Sequence, residues 1–276
     1  MERRLVLCGC LVLTPILVCA VALLSGWGFS APFPPQNEVE EVTITTLYDN
    51  YPWTEGLTTN WGFAALIEIN GTTILFDTGA NGPMLLGNID QLGLKPHAVD
   101  AVVLSHYHGD HTEGLFPFLE KWGAKKLYLP RSFPSAFKEK VGKYGELVEV
   151  SDSAKIIDRV YTTGELGTAI IEQALIIETS KGIILITGCA HPGIVDIIKR
   201  AKELTRQEVY LVLGGFHLVG KSDQELDDII SAVKSLGVKK VSPTHCTGEQ
   251  AIEKFSQAYG ENFIRNGVGK KIVITE

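Results

Sequence analysis

The chain is short of cysteine wherever a disulfide framework would need it. Of five cysteines, Cys8, Cys10 and Cys19 fall in one N-terminal apolar run, which leaves Cys189 and Cys246 for everything else. Two thiols do not make a disulfide scaffold. Positive charge is also scarce. The formal net charge is −7, and the first 36 residues contribute +1 through Glu2, Arg3 and Arg4, so the remainder carries −7 − 1 = −8. An acidic remainder without a basic patch argues against nucleic acid as a main partner. Internal repeats are absent, which excludes a solenoid. After the apolar run no convincing small-residue cleavage site follows, Gly28-Phe29-Ser30 being a weak one, and no Leu-Ala-Gly-Cys lipobox surrounds any of the three early cysteines. These absences favour an uncleaved segment over a removed signal peptide.

Residues Leu5 to Leu24 are apolar apart from Thr14 and Pro15, and Arg3-Arg4 precede them. A run of this length is enough to span a bilayer. Residues 1–30 therefore read as a transmembrane anchor, with the arginines in the cytoplasm and the following domain outside it. If the segment is cleaved instead, the domain is secreted or periplasmic. Residues 31–41, with Pro32, Pro34 and Pro35, read as an extended linker. Residues 42–276 are enough for one sizeable domain.

That domain opens on the alternating stretch Val42 to Tyr48, a strand. Gly62 to Ile69 and Thr72 to Phe76, joined by the turn signal Asn70-Gly71, make a hairpin ending at Asp77-Thr78-Gly79. A helix is expected near Met84 to Leu92, and then a short β-branched strand from Val99 to Leu104. Residues 131–165, rich in Lys, Gly and Pro, are the hardest to assign and read as a cap or substrate-facing insertion. A second hairpin, Gln173 to Thr179 and Ile183 to Thr187, ends at Gly188-Cys189-Ala190-His191. Strand and helix then alternate over 208–213, 223–236, 238–243 and 249–259. Hairpins followed by such alternation point to two mixed sheets covered by helices, an α/β fold in four αββα layers.

The densest chemistry is Ser105-His106-Tyr107-His108-Gly109-Asp110-His111, placed at the end of the Val99–Leu104 strand. Residues i and i+2 of an extended chain face one side, so His106 and His108 converge on one point. Gly109 lets the chain turn, and Asp110 and His111 open a helix facing the same space. Neutral imidazoles with a carboxylate form a zinc-type ligand set with room for more than one ion. Six of the seven histidines, His106, His108, His111, His191, His217 and His245, lie at or just after strand ends. That is the pattern of one convergent site. His97, beside Pro96, reads as a surface residue.

The His-x-His-x-Asp-His cluster after a strand resembles the metallo-β-lactamase superfamily. The motifs Leu-Phe-Asp-Thr-Gly, Gly-Cys-Ala-His-Pro-Gly, Gly-Gly-Phe-His-Leu and Thr-His-Cys-Thr-Gly follow in order over residues 42–275. Together they are similar to a sub-branch named after an archaeal dihydropterin–ribofuranosylaminobenzene phosphate synthase. The resemblance implies the αββα fold and a metal-dependent hydrolase acting on a small ester-type substrate: a phosphoester, ester or lactone. It assigns His106, His108 and His191 to one ion and Asp110, His111 and His245 to a second. Zn2+ is the expected metal, as one or two ions, with Mn2+ or Fe as alternatives. Asp77 matches the aspartate that orients ligands, and Asp110 or His217 would handle protons. The aspartate that bridges two metals in many members has no evident counterpart, and His191 stands either for the third-motif histidine or in the bridging place.

Two other classes share the fold. Di-iron redox or oxygen-binding members usually carry glutamate at the position of His108, and they carry an attached flavin domain that this chain lacks, so the histidine favours hydrolysis. A binding module without catalysis would have no need of so full a ligand set. Of the two cysteines, Cys189 shares the strand parity of His191 and is expected to face the metal. Cys246, next to His245, is expected to point away and to pack.

Overall fold

The computed structural model describes residues 41–96 and 99–275. The anchor expected over residues 1–30, the linker expected over 31–41 except Glu41, which already belongs to the first strand, and His97 lie outside them. Among the described residues no helix is long and apolar enough to cross a membrane.

The first sheet starts as a meander. Strand β1 (Glu41–Tyr48) pairs antiparallel with β2 (Ala64–Ile69), which pairs with β3 (Thr72–Phe76). Asn70 and Gly71 make that hairpin turn with φ of 46° and 76°, the left-handed pair that this dipeptide favours. The chain continues through α1 (Gly82–Gln91), β4 (Val99–Val103), α2 (Gly109–Thr112), α3 (Leu115–Lys121), β5 (Ala124–Pro130), α4 (Ser135–Val141) and β6 (Glu146–Val150). Strands β3 to β6 run parallel to one another.

The second sheet takes β7 (Lys155–Ile157), β8 (Val160–Thr162), β9 (Leu175–Thr179), β10 (Gly182–Thr187), α5 (Ile194–Thr205), β11 (Val209–Gly215), α6 (Asp223–Ser235), β12 (Lys240–Thr244) and α7 (Glu249–Tyr259). The last strand, β13 (Lys271–Thr275), crosses back to pair with β1. The sheet orders are β13-β1-β2-β3-β4-β5-β6 and β12-β11-β10-β9-β8-β7. Pro243 is tolerated in β12 because that strand is a sheet edge.

Alternate side chains build three apolar layers. Ile44, Ile67, Ile74, Val103, Ile177, Ile184 and Leu213 meet between the sheets. Leu66, Leu75, Val102 and Leu127 face α1 and α3 through Leu85, Ile89 and Phe118. Ile176, Leu185 and Val212 face α5 to α7 through Ile198, Leu226 and Phe255. The result is the αββα sandwich.

Residues 131–165 depart from the expected insertion. They supply α4, β6 at one edge of the first sheet, and β7 and β8 at an edge of the second, so most of the stretch belongs to the sandwich itself. β3 and β4 run parallel in one sheet, as do β10, β11 and β12 in the other. The loops leaving these strand ends carry Asp77, His106, His191, His217 and His245.

Candidate metal centre

Three sets of donor atoms gather where those loops meet. One set is His106, His108 and His191. Another is Asp110, His111, Cys189 and His245, and a third is Cys189, His217 and Cys246. Within each set the donor atoms lie within 4.8 Å of one another. The expected residues therefore converge, and His191 joins His106 and His108. Cys189 takes the remaining place beside Asp110, with its Sγ 3.2 Å from His111 Nε2. Asp110 Oδ2 sits 3.5 Å from His111 Nε2 and 3.4 Å from His245 Nε2. Cys246 is buried, as a packing residue would be, but its sulfur does not point away from the centre. Parity fails because His245 takes φ 50° and opens a 3-10 turn (His245–Thr247), so the strand alternation ends before Cys246.

A buried relay behind the ligands fixes their tautomers. Asp77 is fully buried at φ 54° and accepts from Ser105 N, from Ser105 Oγ and from His111 Nδ1, each at 2.7 Å. Ser105 gives its only hydroxyl proton to Asp77, so it accepts from His106 Nδ1 at 2.8 Å. With Nδ1 committed to Ser105 and to Asp77, the two imidazoles turn Nε2 inward, the usual service of a group behind a ligand histidine. His245 Nδ1 meets Asn50 Oδ1 at 2.9 Å with the same effect. The buried Asp49 carboxylate accepts from Thr244 Oγ1 and from Tyr51 N, which anchors the turn that carries His245. Burial pushes the Asp49 carboxyl up to about 7.

Glu172 secures the opposite loop. Its Oε1 accepts from the backbone N–H of Gly188, Cys189 and Ala190 at 3.2, 2.9 and 2.9 Å, and its Oε2 from His191 N at 2.8 Å. These bonds hold Ala190 at φ 58° and turn Cys189 and His191 toward the centre. Burial pushes the Glu172 carboxyl up to about 7 against the pull of the His191, Ala190 and Cys189 donors and of the His111 charge. Asn50 and Glu172 escaped sequence reasoning, because no motif spacing ties them to the ligands they hold, and Ser105 stood in the cluster without an assigned role.

The electrostatics suit cations. Burial, then the neighbouring imidazoles, holds His106 well below its ordinary value, so it is a neutral donor. Burial, then His217, lowers His191 to about 4. Burial opposes a charge on His111, but the Asp77 carboxylate and Asp110 push it up to about 10. Burial likewise opposes ionisation of Asp110, yet the His111 and His245 imidazoles beside it hold it far below the carboxylate range. His191 Nε2 and His245 Nε2 are buried atoms without a hydrogen-bond partner. Orphaned lone pairs beside an ionised carboxylate and a thiol are the donor set that a divalent ion satisfies.

Outside the ligands, Trp61 lies over the His245 ring at 4.9 Å and is 48 % exposed, and His217 stands 4.2 Å from the His191 ring. Two open clefts of about 570 and 500 Å³ both reach His191 and His217. Lys221 and Glu225 line the first, and Thr168 and Asp196 the second.

The model of the metallo-beta-lactamase superfamily matches residues 61–245, from the loop before β2 to the last ligand histidine. The chain belongs to this superfamily. Within it, a Methanocaldococcus jannaschii protein named 7,8-dihydropterin-6-methyl-4-(beta-D-ribofuranosyl)-aminobenzene-5'-phosphate synthase is 29% identical, covering 85% of this chain and 97% of its own length. An uncharacterized protein of the same organism is 34% identical over 77% of this chain. The crystal structure of Tm1679, described as a metal-dependent hydrolase of the beta-lactamase superfamily, superposes with a TM-score of 0.72. It is 27% identical, and the match covers 85% of this chain and 100% of that one. The sub-branch expected from the four motifs is thus the one its relatives represent.

Proposed function

We propose that this superfamily member is a metal-dependent hydrolase of small ester-type substrates, of the phosphoester, ester or lactone kind. The observation that carries the reading is the pair of adjacent ligand sets, His106/His108/His191 and Asp110/His111/Cys189/His245, beside two open clefts. Zn2+ ions, or Mn2+ or Fe in their place, would bring Lewis acidity and lower the pKa of water toward neutrality. The chain's own groups do the rest. Asp110, kept ionised by its two imidazole partners, accepts a hydrogen bond from the attacking water and orients it. His217 is exposed at the rim, where its N–H donates to the substrate or the leaving group. Trp61, over His245, covers one side of the centre and limits water there.

A panel of phosphodiesters, phosphomonoesters, lactones and thioesters, assayed with added zinc or manganese, tests this. Turnover of at least one class that chelation abolishes is expected, and no turnover of any class refutes it. The relatives favour one second reading, a synthase-like reaction, which would show as inactivity on all four classes. Iron with a visible absorption band would instead mark a redox member.

We also propose that residues 1–30 tether the domain outside the cytoplasm, since the Leu5–Leu24 run and its flanking arginines suit an anchor. Protease added to intact cells should remove the domain. Complete protection would show the orientation to be wrong.

A further inference from the structure

The third donor set shares Cys189 and His217 with the hydrolytic centre proposed above, but it is built differently from the other two. It holds two sulfurs and one imidazole, with no carboxylate. Cys189 and Cys246 are 4% and 3% exposed, whereas His217 is exposed and covers them from the solvent side. Three features bring these groups together. Gly215 lies between the cysteines: a Cβ there would stand 2.7 Å from Cys246 Sγ and 3.3 Å from Cys189 Cα, so any larger residue would part them. The segment after β11 is stitched to the 3-10 turn, Phe216 N donating to Thr247 Oγ1 at 3.0 Å and Leu218 N to Cys246 O at 3.2 Å. His217, between these bonds, is held at φ 53°, a left-handed conformation that costs a non-glycine residue about 1–3 kcal/mol.

Packing accounts for two small buried side chains. It does not account for an imidazole fixed over them in a strained backbone. We propose that Cys189, Cys246 and His217 form a third cation set, one that takes a soft, thiophilic ion of the Cu(I) or Cd(II) class. Donor softness is the reason, since thiolates with a single imidazole select such ions over the harder metals suited to carboxylates. Cys189 is common to this set and to the set of Asp110, His111 and His245. A soft ion bound here therefore draws on a ligand of the hydrolytic centre, and the two occupancies are coupled.

Titrating the metal-free full-length chain with Cd(II) under reducing conditions reads the thiolates through the sulfur-to-cadmium ultraviolet band. At one equivalent the wild-type chain should show the intensity of two thiolates, and Cys246→Ser half of it. His217→Ala should keep the intensity but bind Cd(II) at least about tenfold more weakly, as when a metal site loses a supporting group. Circular dichroism confirms that each variant is folded. X-ray absorption of the cadmium-loaded wild-type chain counts sulfur neighbours without any variant, and two are expected. A single sulfur there, or an unchanged band in folded Cys246→Ser, overturns the proposal. Zinc and manganese contents and substrate turnover are measured separately, so a failure of the hydrolase reading leaves the cadmium result standing.

Discussion

Replacing His108 with alanine should strip the centre of most of its metal and abolish the hydrolysis proposed above while the domain stays folded. His108 belongs to the set with His106 and His191, and its Nδ1 lies 3.1 Å from His106 Nε2. It precedes α2 but makes no side-chain capping bond there, and it is only half-buried, so the fold owes it little. Losing a group that merely orients a ligand costs metal affinity roughly ten- to a hundredfold, and losing the ligand itself should cost more. Metal content by atomic emission, beside a melting curve, checks both halves of the statement. A folded variant that keeps its full complement of metal would remove His108 from the centre.

Glu172→Ala should damage the protein in another way, by failing to hold the Gly188–His191 loop. Four backbone donors would lose their acceptor at once. A buried donor left unpaired costs about 1–3 kcal/mol, so the sum rivals the roughly 5–15 kcal/mol that holds a typical domain together. Glu172→Gln makes a graded comparison. Its amide oxygen can still serve the three donors that Oε1 serves, while its amide nitrogen would face His191 N–H. The expected loss for Gln is about 1–3 kcal/mol by denaturant unfolding, with weaker metal retention. Alanine should leave no stably folded domain. An alanine variant as stable as the parent would mean that the loop is held by something else.

How far the sequence reveals the centre depends on how local each signal is. The run from His106 to His111 declares itself because one strand end and one turn bring four donors together, whatever the rest of the chain does. Asp77 is legible for the same reason, at the end of a clear hairpin. Asn50 is not: its partner His245 lies 195 residues away, and only the packing of the two sheets makes them neighbours. Glu172 resembles any polar residue before a strand until the loop at 188–191 folds around it. Among the strands, β6 and β7 have partly exposed edge patterns that break the apolar alternation, which is why residues 131–165 looked like an insertion. β13 is a different case. Lys271 to Thr275 alternates exposed and buried without a break, so the signal was present and needed only a partner strand to give it meaning. Cys246 shows the limit of parity arguments, since one left-handed residue, His245, ends the strand just before it.

The pairing of β13 with β1 also governs how the molecule can be made. Thr275 lies opposite Glu41, so the first and last strands of the described domain are neighbours in the sheet. A chain emerging from the ribosome cannot complete that sheet until its final strand is free. Until then β1 presents an open hydrogen-bonding edge. Closure across so long a separation is slow by the ordinary dependence of folding rate on contact separation. Until β13 arrives the domain therefore stays unfinished, in a state that a holding chaperone can still grip.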